Sequence, residues 1–407
     1  MRILLLTQVL PFPPDAGPKI KTFNLLRHLA ARHQVSLVSF VRSAEEEALA
    51  QALAPYCRRV VTVRLARSRL ADLGSLARSL VSGEPFVVAR DRSPAMEAAL
   101  RRLVADERFD LVHADQLNMA PYALGLAGPR RVLDEHNAVW LVVQRLWAHE
   151  PPGPRRLLLG REWRQLYRYE GRAAAAFDAV LAVSEEDRSA LERVLARPVP
   201  VHVVPIGVDT WELRPLAREP GASALLAIGT LFWPPNVDGI LWFARQVLPL
   251  ILRERPDVRL LVVGARPASS LLRLSREEPA VQVTGYVADP APLIRQSALM
   301  VVPLRAGGGM RVKILHALAQ GLPVVSTTVG CEGIEVTPGR HLLVADRPQD
   351  FARAVLRLLA DPALARDLAA EGRRLVERRY DWRVVCPEVE RVYETLVRGT
   401  QYARRNT

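Results

Sequence analysis

Short apolar runs alternate with amphipathic stretches along nearly all 407 residues, and this alternation limits the fold more than any other feature. In the first half, strand-like runs fall at 3–7, 35–40, 59–63, 111–114, 131–134 and 179–183, and residues 201–209 read as a last strand entering a turn. Each run is short and apolar throughout, as a parallel strand covered by helices on both faces requires. Between them, Ile20, Phe23, Leu26, Leu29 and Ala30 recur at helical spacing over 20–31, and a second amphipathic helix covers 94–104. After a proline-containing join at 214–221 the pattern restarts. Strands fall at 224–229, 259–263, 281–284, 299–303, 323–326 and 341–344, with helices at 238–252, 311–320 and 348–359. Strands and helices in alternation specify an α/β fold with parallel sheets. The join divides the chain into one Rossmann-like domain at 1–205 and a second at 206–383, facing each other across a cleft. Ligands of such folds bind at the carboxyl ends of the strands.

Several function classes drop out. No stretch approaches the ~20 consecutive apolar residues of a membrane-spanning helix. The apolar N-terminal run is short and meets Pro11-Phe-Pro-Pro with no small-residue cleavage site, so it reads as a first strand rather than a secretion signal. Cys57, Cys331 and Cys386 are widely spaced and form neither a disulfide framework nor a CxxC metal site. A cytoplasmic protein is expected, with peripheral contact to the inner face of the plasma membrane. The net charge of +13 is spread over both halves, which argues against a nucleic-acid-binding face and leaves anionic small molecules and anionic lipid as partners.

The densest chemistry lies at 301–325. A strand enters Gly307-Gly308-Gly309, and a helix begins near Met310. Consecutive glycines let backbone approach a ligand closely, and a helix start offers free N–H groups and a positive dipole end to a phosphate. Arg311 and Lys313 place two cations in the first turn, where they oppose the helix dipole unless an anion binds there. His316, three residues on, shares a face with Lys313. Only three of the 56 basic residues are lysines (Lys19, Lys21 and Lys313), and all follow a glycine closely. The segment does not match GxxxxGK[ST], and no GxGxxG follows the first strand, which weakens P-loop and dinucleotide readings. There is no DxD pair to hold a metal–diphosphate, so fixed cations are expected to take the metal's place.

In the first half, Asp134, Glu135, His136 and Asn137 close one strand, and Asp115 closes another after a strand histidine, His113. His136 is the candidate for contact with a transferred group. Asp115, Glu135 and Asn137 are candidates for the acceptor side. At 154–172, six arginines interleave with Trp163, Tyr167 and Tyr169. That stretch reads either as a solvated helix face or as a surface for anionic membrane.

These residues resemble glycosyltransferase family 4, a family of retaining enzymes with the GT-B fold. The resemblance runs along the whole chain and is strongest from Gly229 to Gly333, including the glycine loop and Gly321-Leu-Pro-Val-Val-Ser-Thr. It implies that the second domain binds a nucleoside-diphosphate sugar. Gly229, Thr230, the 307–309 glycines, Met310, Arg311, Lys313 and His316 would surround the donor, and Val287 would lie beside the base. Gly17 would match a first-domain loop facing the donor, and His136 a histidine near the transferred sugar. Arg311, Lys313 and His136 are the residues expected to take part in transfer, with neither metal nor cofactor. The resemblance also implies that a helix at about 384–407 packs back on the first domain. The family's pair of glutamates, separated by seven intervening residues, is replaced here by Gly308 and His316.

The expected activity is transfer of a sugar from a nucleoside-diphosphate sugar to an acceptor hydroxyl with retained configuration. The acceptor would be lipid-linked or a saccharide, in surface polysaccharide or glycolipid assembly. Two alternatives stand beside it: a nucleotide-sugar 2-epimerase of the same fold, and a non-catalytic nucleotide-sugar-binding or scaffold homologue.

Overall fold

The computed structural model describes residues 1–405 apart from 16 and 66, and side chains as far as 399. The chain forms two compact units. The first comprises Met1–Ile206 and the chain from Val385 onward, and the second is Gly207–Val384. Of the stretch expected to form the terminal helix, residues 406 and 407 lie outside the described residues.

Unit 1 holds seven parallel strands: β1 Arg2–Thr7, β2 Gln34–Val41, β3 Arg59–Arg64, β4 Leu111–Asp115, β5 Arg130–Glu135, β6 Ala179–Ala182 and β7 Val201–Val203. Their order is β3-β2-β1-β4-β5-β6-β7. Unit 2 holds six: β8 Ala224–Ile228, β9 Leu260–Val263, β10 Val281–Gly285, β11 Ser297–Val302, β12 Val324–Ser326 and β13 Leu343–Val344, in the order β10-β9-β8-β11-β12-β13. Both sheets are parallel throughout. The expected fold class therefore holds: each unit is a Rossmann-like sheet. Ile3 to Leu6 of β1 are wholly buried. Each such side chain, withdrawn from water on either face, stabilises the fold by about 1.5–3 kcal/mol. Strand order reverses between β1 and β4 and again between β8 and β11, and the crevice at such a reversal is where an α/β sheet binds its ligand.

The helices depart from expectation mainly at their ends. The first runs Gly17–Ala30, starting three residues before its apolar periodicity begins. The helix expected at 238–252 starts earlier, at Pro234, and passes through a π turn at Phe243–Val247 before continuing to Glu254. Pro249 follows that turn and has no N–H to give, so the wider hydrogen-bonding step accommodates it. Helices Arg69–Ser82, Val139–His149 and Pro362–Arg379 are additional. The last helix, Trp382–Arg405, buries Val385, Cys386, Val389 and Tyr393. Glu390 accepts from His28 Nε2 and His33 Nε2, both at 2.9 Å, and from Arg32 Nη1 at 3.0 Å. No helix among the described residues is long and apolar enough to cross a membrane.

Candidate functional site

In unit 2, the loop after β11 folds back on itself before helix Val312–Ala319 begins. Gly307 (φ 131°) and Gly309 (φ 75°) take backbone angles that side-chain-bearing residues avoid. A Cβ at Gly307 would also lie 2.8 Å from Arg311 Nη2. Arg311 is not in the first turn, as expected, but caps the helix. Its Nη1 donates to the carbonyls of Gly308 and, at 2.6 Å, Gly309. The guanidinium therefore shapes the loop.

Lys313 is the cation of the first helical turn. Its Nζ lies 3.3 Å from Asn236 Oδ1, and Asn236 Nδ2 donates to the Thr230 carbonyl at 3.0 Å. A Cβ on Gly229 would stand 3.4 Å from the same Nζ. Lys313, Asn236, Gly229 and Thr230 thus meet where β8 ends. Burial, then the charge of Arg311, pushes the Lys313 ammonium down to about 7. His316 is half-buried, and burial pushes its imidazole down to about 4, so the ring is neutral at physiological pH. Met310 is buried.

Two glycines set how closely these parts approach. Gly264, after β9, passes so near Gly229 that a Cβ would fall 1.8 Å from its carbonyl oxygen. Gly264 N also donates to the Gly285 carbonyl at 2.9 Å, which sets the end of β10 beside them. Val287 follows two residues later and is half-buried. Gly239 faces the Pro303 carbonyl, where a Cβ would stand at 2.5 Å, so helix Pro234–Trp242 lies against the end of β11. The structure therefore joins Gly229, Thr230 and Lys313, and adds Asn236. Among the described residues, no side-chain hydrogen bond joins His316 or Val287 to them.

In unit 1, the polar residues at the ends of β4 and β5 form a buried network. Lys21 Nζ lies 2.5 Å from Asp134 Oδ1, and Thr22 Oγ1 donates to Asp115 Oδ2 at 3.0 Å. His136 Nε2 is 2.8 Å from Asp115 Oδ1 and 3.8 Å from Asp134 Oδ2. His113 meets Tyr393 Oη through Nδ1 at 2.5 Å, and its Nε2 is 3.6 Å from Asp134 Oδ2. Burial pushes His113 down and so keeps it neutral. Burial alone would raise the Asp134 carboxyl, but Lys21, His136 and His113 outweigh it and hold it below the usual range.

This geometry revises the expected roles. Asp115, Glu135 and His136 are buried, and Asn137 is half-buried. Asp115 is occupied with Thr22 and His136, so it positions the histidine rather than presenting itself to an acceptor. Burial, then Glu170 and Asp134, pushes the Glu135 carboxyl well up, so it is a neutral interior acid. The turn carrying His136 and Asn137 is fixed by acids from elsewhere. Glu170 accepts from Val139 N and Trp140 N, both at 2.8 Å, and Asp187 accepts from Ala138 N at 2.9 Å. Gly17 opens the first helix, and a Cβ there would meet nothing within 4 Å. Lys19 pairs with Asp15 at 3.2 Å. His113, Asp115 and Asp134 are close enough together to hold a metal ion, but the Lys21 ammonium already sits on Asp134.

Two family models match the chain: "Glycosyltransferase Family 4" over residues 21–212 and "Glycosyl transferases group 1" over 222–361. Together they span most of its length. An uncharacterized 44.6 kDa protein in the cps region of Klebsiella pneumoniae is 21% identical over 95% of this chain and 98% of its own. A phosphatidyl-myo-inositol mannosyltransferase of Mycobacterium tuberculosis is 29% identical over 47% of this chain, a match spanning 53% of that enzyme. Among solved structures, Anabaena HepE in complex with UDP-glucose superposes with a TM-score of 0.68 at 16% identity, covering 97% of this chain and 100% of the other.

Proposed function

The chain belongs to glycosyltransferase family 4 and is a glycosyltransferase of the GT-B class, and from that premise we propose that its donor is a nucleoside-diphosphate sugar bound by unit 2. The observation that carries this reading is Lys313: a half-buried cation at a glycine-loop helix start, beside Gly229 and Thr230. Among the described residues no acid pairs with that ammonium, and an incoming anion would offset the adverse placement of its charge. HepE, of the same fold, is described in complex with UDP-glucose, which fits such an anion.

On this reading the sugar–phosphate bond breaks as the acceptor oxygen attacks the same face of the anomeric carbon, so configuration is retained. The leaving phosphate oxygen accepts the acceptor's proton, and no protein nucleophile is needed. Lys313 and the helix N–H groups offset the charge developing on the diphosphate, the task a metal performs in other transferases. His136, held by Asp115, contacts the transferred sugar. The acceptor is a lipid-linked or saccharide hydroxyl, consistent with a relative that acts on phosphatidyl-myo-inositol. The enzyme works in the cytoplasm against the inner membrane face, in polysaccharide or glycolipid assembly.

A thermal-shift screen of nucleoside diphosphates and their sugars, each with and without chelator, tests the donor. Binding to the folded state alone raises its stability by mass action. The expected result is a shift with one base series that chelator leaves unchanged. A shift abolished by chelator would overturn the metal-free site, and no shift with any nucleotide would overturn the donor class.

A further inference from the structure

Helix Arg69–Ser82 in unit 1 is amphipathic the wrong way round for a core helix. Leu70, Leu73, Ala77, Leu80 and Val81 fall on one face at about 100° per residue, and all are exposed, Leu70 by 81% and Val81 by 91%. Its single buried residue, Ser79, lies on the opposite side. There Arg161 grips it, donating to the Ser79 carbonyl at 2.7 Å and to its hydroxyl at 3.3 Å. The helix is thus attached by its polar back and shows its leucines to solvent. The exposed Arg69 and Arg78 border the apolar face on either side.

The neighbouring helix Pro154–Ala174, tied to the first through Arg161, carries exposed leucines of its own. Leu157 (77% exposed) and Leu158 stand out from its first turns, with Arg155 beside them. Behind Leu157 opens a cavity of about 490 Å³, bounded by Trp147, Arg156 and Arg164. Both guanidiniums lie over the Trp147 ring, at 5.1 and 5.7 Å. The nearby acids are already engaged: Asp72 with Arg90 at 2.9 Å and Glu150 with Arg155 at 3.6 Å. What remains is an aliphatic face bordered by Arg69 and Arg78, which make no ion pair among the described residues, and this matches hydrocarbon beneath anionic headgroups.

We propose that these two helices seat unit 1 on an anionic bilayer, with the aliphatic face of Arg69–Ser82 entering the acyl region and the Trp147 cavity receiving a lipid phosphate. The inference rests on the reading above that the acceptor is held at a membrane, but its test is independent of donor binding. The full-length protein is sedimented with vesicles of phosphatidylcholine alone and of phosphatidylcholine mixed with phosphatidylglycerol. Binding is expected only to the mixed vesicles, and to be lost at high salt. The doubly substituted Leu73→Ser, Leu80→Ser protein should partition about tenfold or more weakly, and so should Arg155→Ser, Arg156→Ser. All four residues are exposed or flank the cavity, and far-UV circular dichroism with urea unfolding reports whether each variant is folded. Unchanged partitioning in the leucine variant, or no binding of the unaltered protein to the mixed vesicles, would overturn the proposal. So would a dimer in free solution that the leucine substitutions dissolve, because the face would then be occupied by a second copy. A normal diphosphate shift beside failed vesicle binding would sink this inference alone and leave the donor reading standing.

Discussion

Withdrawn from water and set beside Arg311, the Lys313 ammonium gives up its proton at about pH 7 rather than in the usual lysine range. A diphosphate beside it favours the charged form and draws the proton back. Binding therefore takes up a proton, and diphosphate affinity falls as pH rises from about 6 to about 9. Isothermal titration in buffers of different ionisation enthalpy measures that uptake directly. In Lys313→Arg the pH dependence should vanish, because a guanidinium does not titrate there. Lys313→Ala should weaken diphosphate binding by about 2 kcal/mol, roughly thirtyfold, with unfolding little changed. A pH-independent affinity in the unaltered protein would remove Lys313 from the diphosphate site. Lysine was recognisable at this position because so few lysines remain in an arginine-rich chain. Its partner Asn236 has no such mark: nothing in its spacing shows that it bridges Lys313 and the Thr230 carbonyl.

Among the elements, the loops after β8 and β9 are set by glycine contacts that sequence alone does not distinguish. Gly264 and Gly17 both look like flexible punctuation. At Gly264 an added methyl would meet the Gly229 carbonyl oxygen at 1.8 Å, whereas at Gly17 it would meet nothing within 4 Å. Gly264→Ala should therefore move the Gly229–Thr230 backbone and destabilise the protein by roughly 3 kcal/mol, with diphosphate binding weakened as well. Gly17→Ala should leave the unfolding free energy, read by urea denaturation, within about 0.5 kcal/mol of the unaltered protein. An unchanged midpoint for Gly264→Ala would contradict the close approach. The central strands were legible because each is a short run buried on both faces, and period and length then agree, whereas β3, β7 and β10 are only partly buried. Helix Arg69–Ser82 was not, because apolar periodicity reports a face without saying whether it turns toward the core or away. Glu170 and Asp187 were hidden for a related reason. An acid that caps another helix through the interior looks, in sequence, like one more charge on a solvated face.

For the molecule as a whole, the chain leaves unit 1 after Ile206, builds all of unit 2, and returns at Val385. The returning helix supplies Tyr393 to His113 and Glu390 to His28, His33 and Arg32. Burial alone would raise the Glu390 carboxyl, but the bonds from His28 and His33 and the charge of Arg32 hold it below its usual range. A carboxyl depressed in the folded state stabilises fully above its unfolded pKa, and that contribution is lost as pH falls through the folded value. Glu390→Gln should lower stability at pH 7 by about 2–3 kcal/mol, and the difference from the unaltered protein should shrink in acid. Urea unfolding followed at several pH values checks both the size and the sign. A constant difference across the acid range would mean that the charge of Glu390 is not what holds the helix.

That return has a consequence in time as well as in space. A ribosome makes the first seven strands early, yet His113 meets Tyr393 only after about 190 further residues have been added, on the order of 10–40 s later at ordinary elongation rates. Throughout that interval the nascent first sheet carries an uncovered apolar groove, the place of Val385, Val389 and Tyr393. The second unit can close as soon as Val384 emerges, so the half of the chain begun first is finished last.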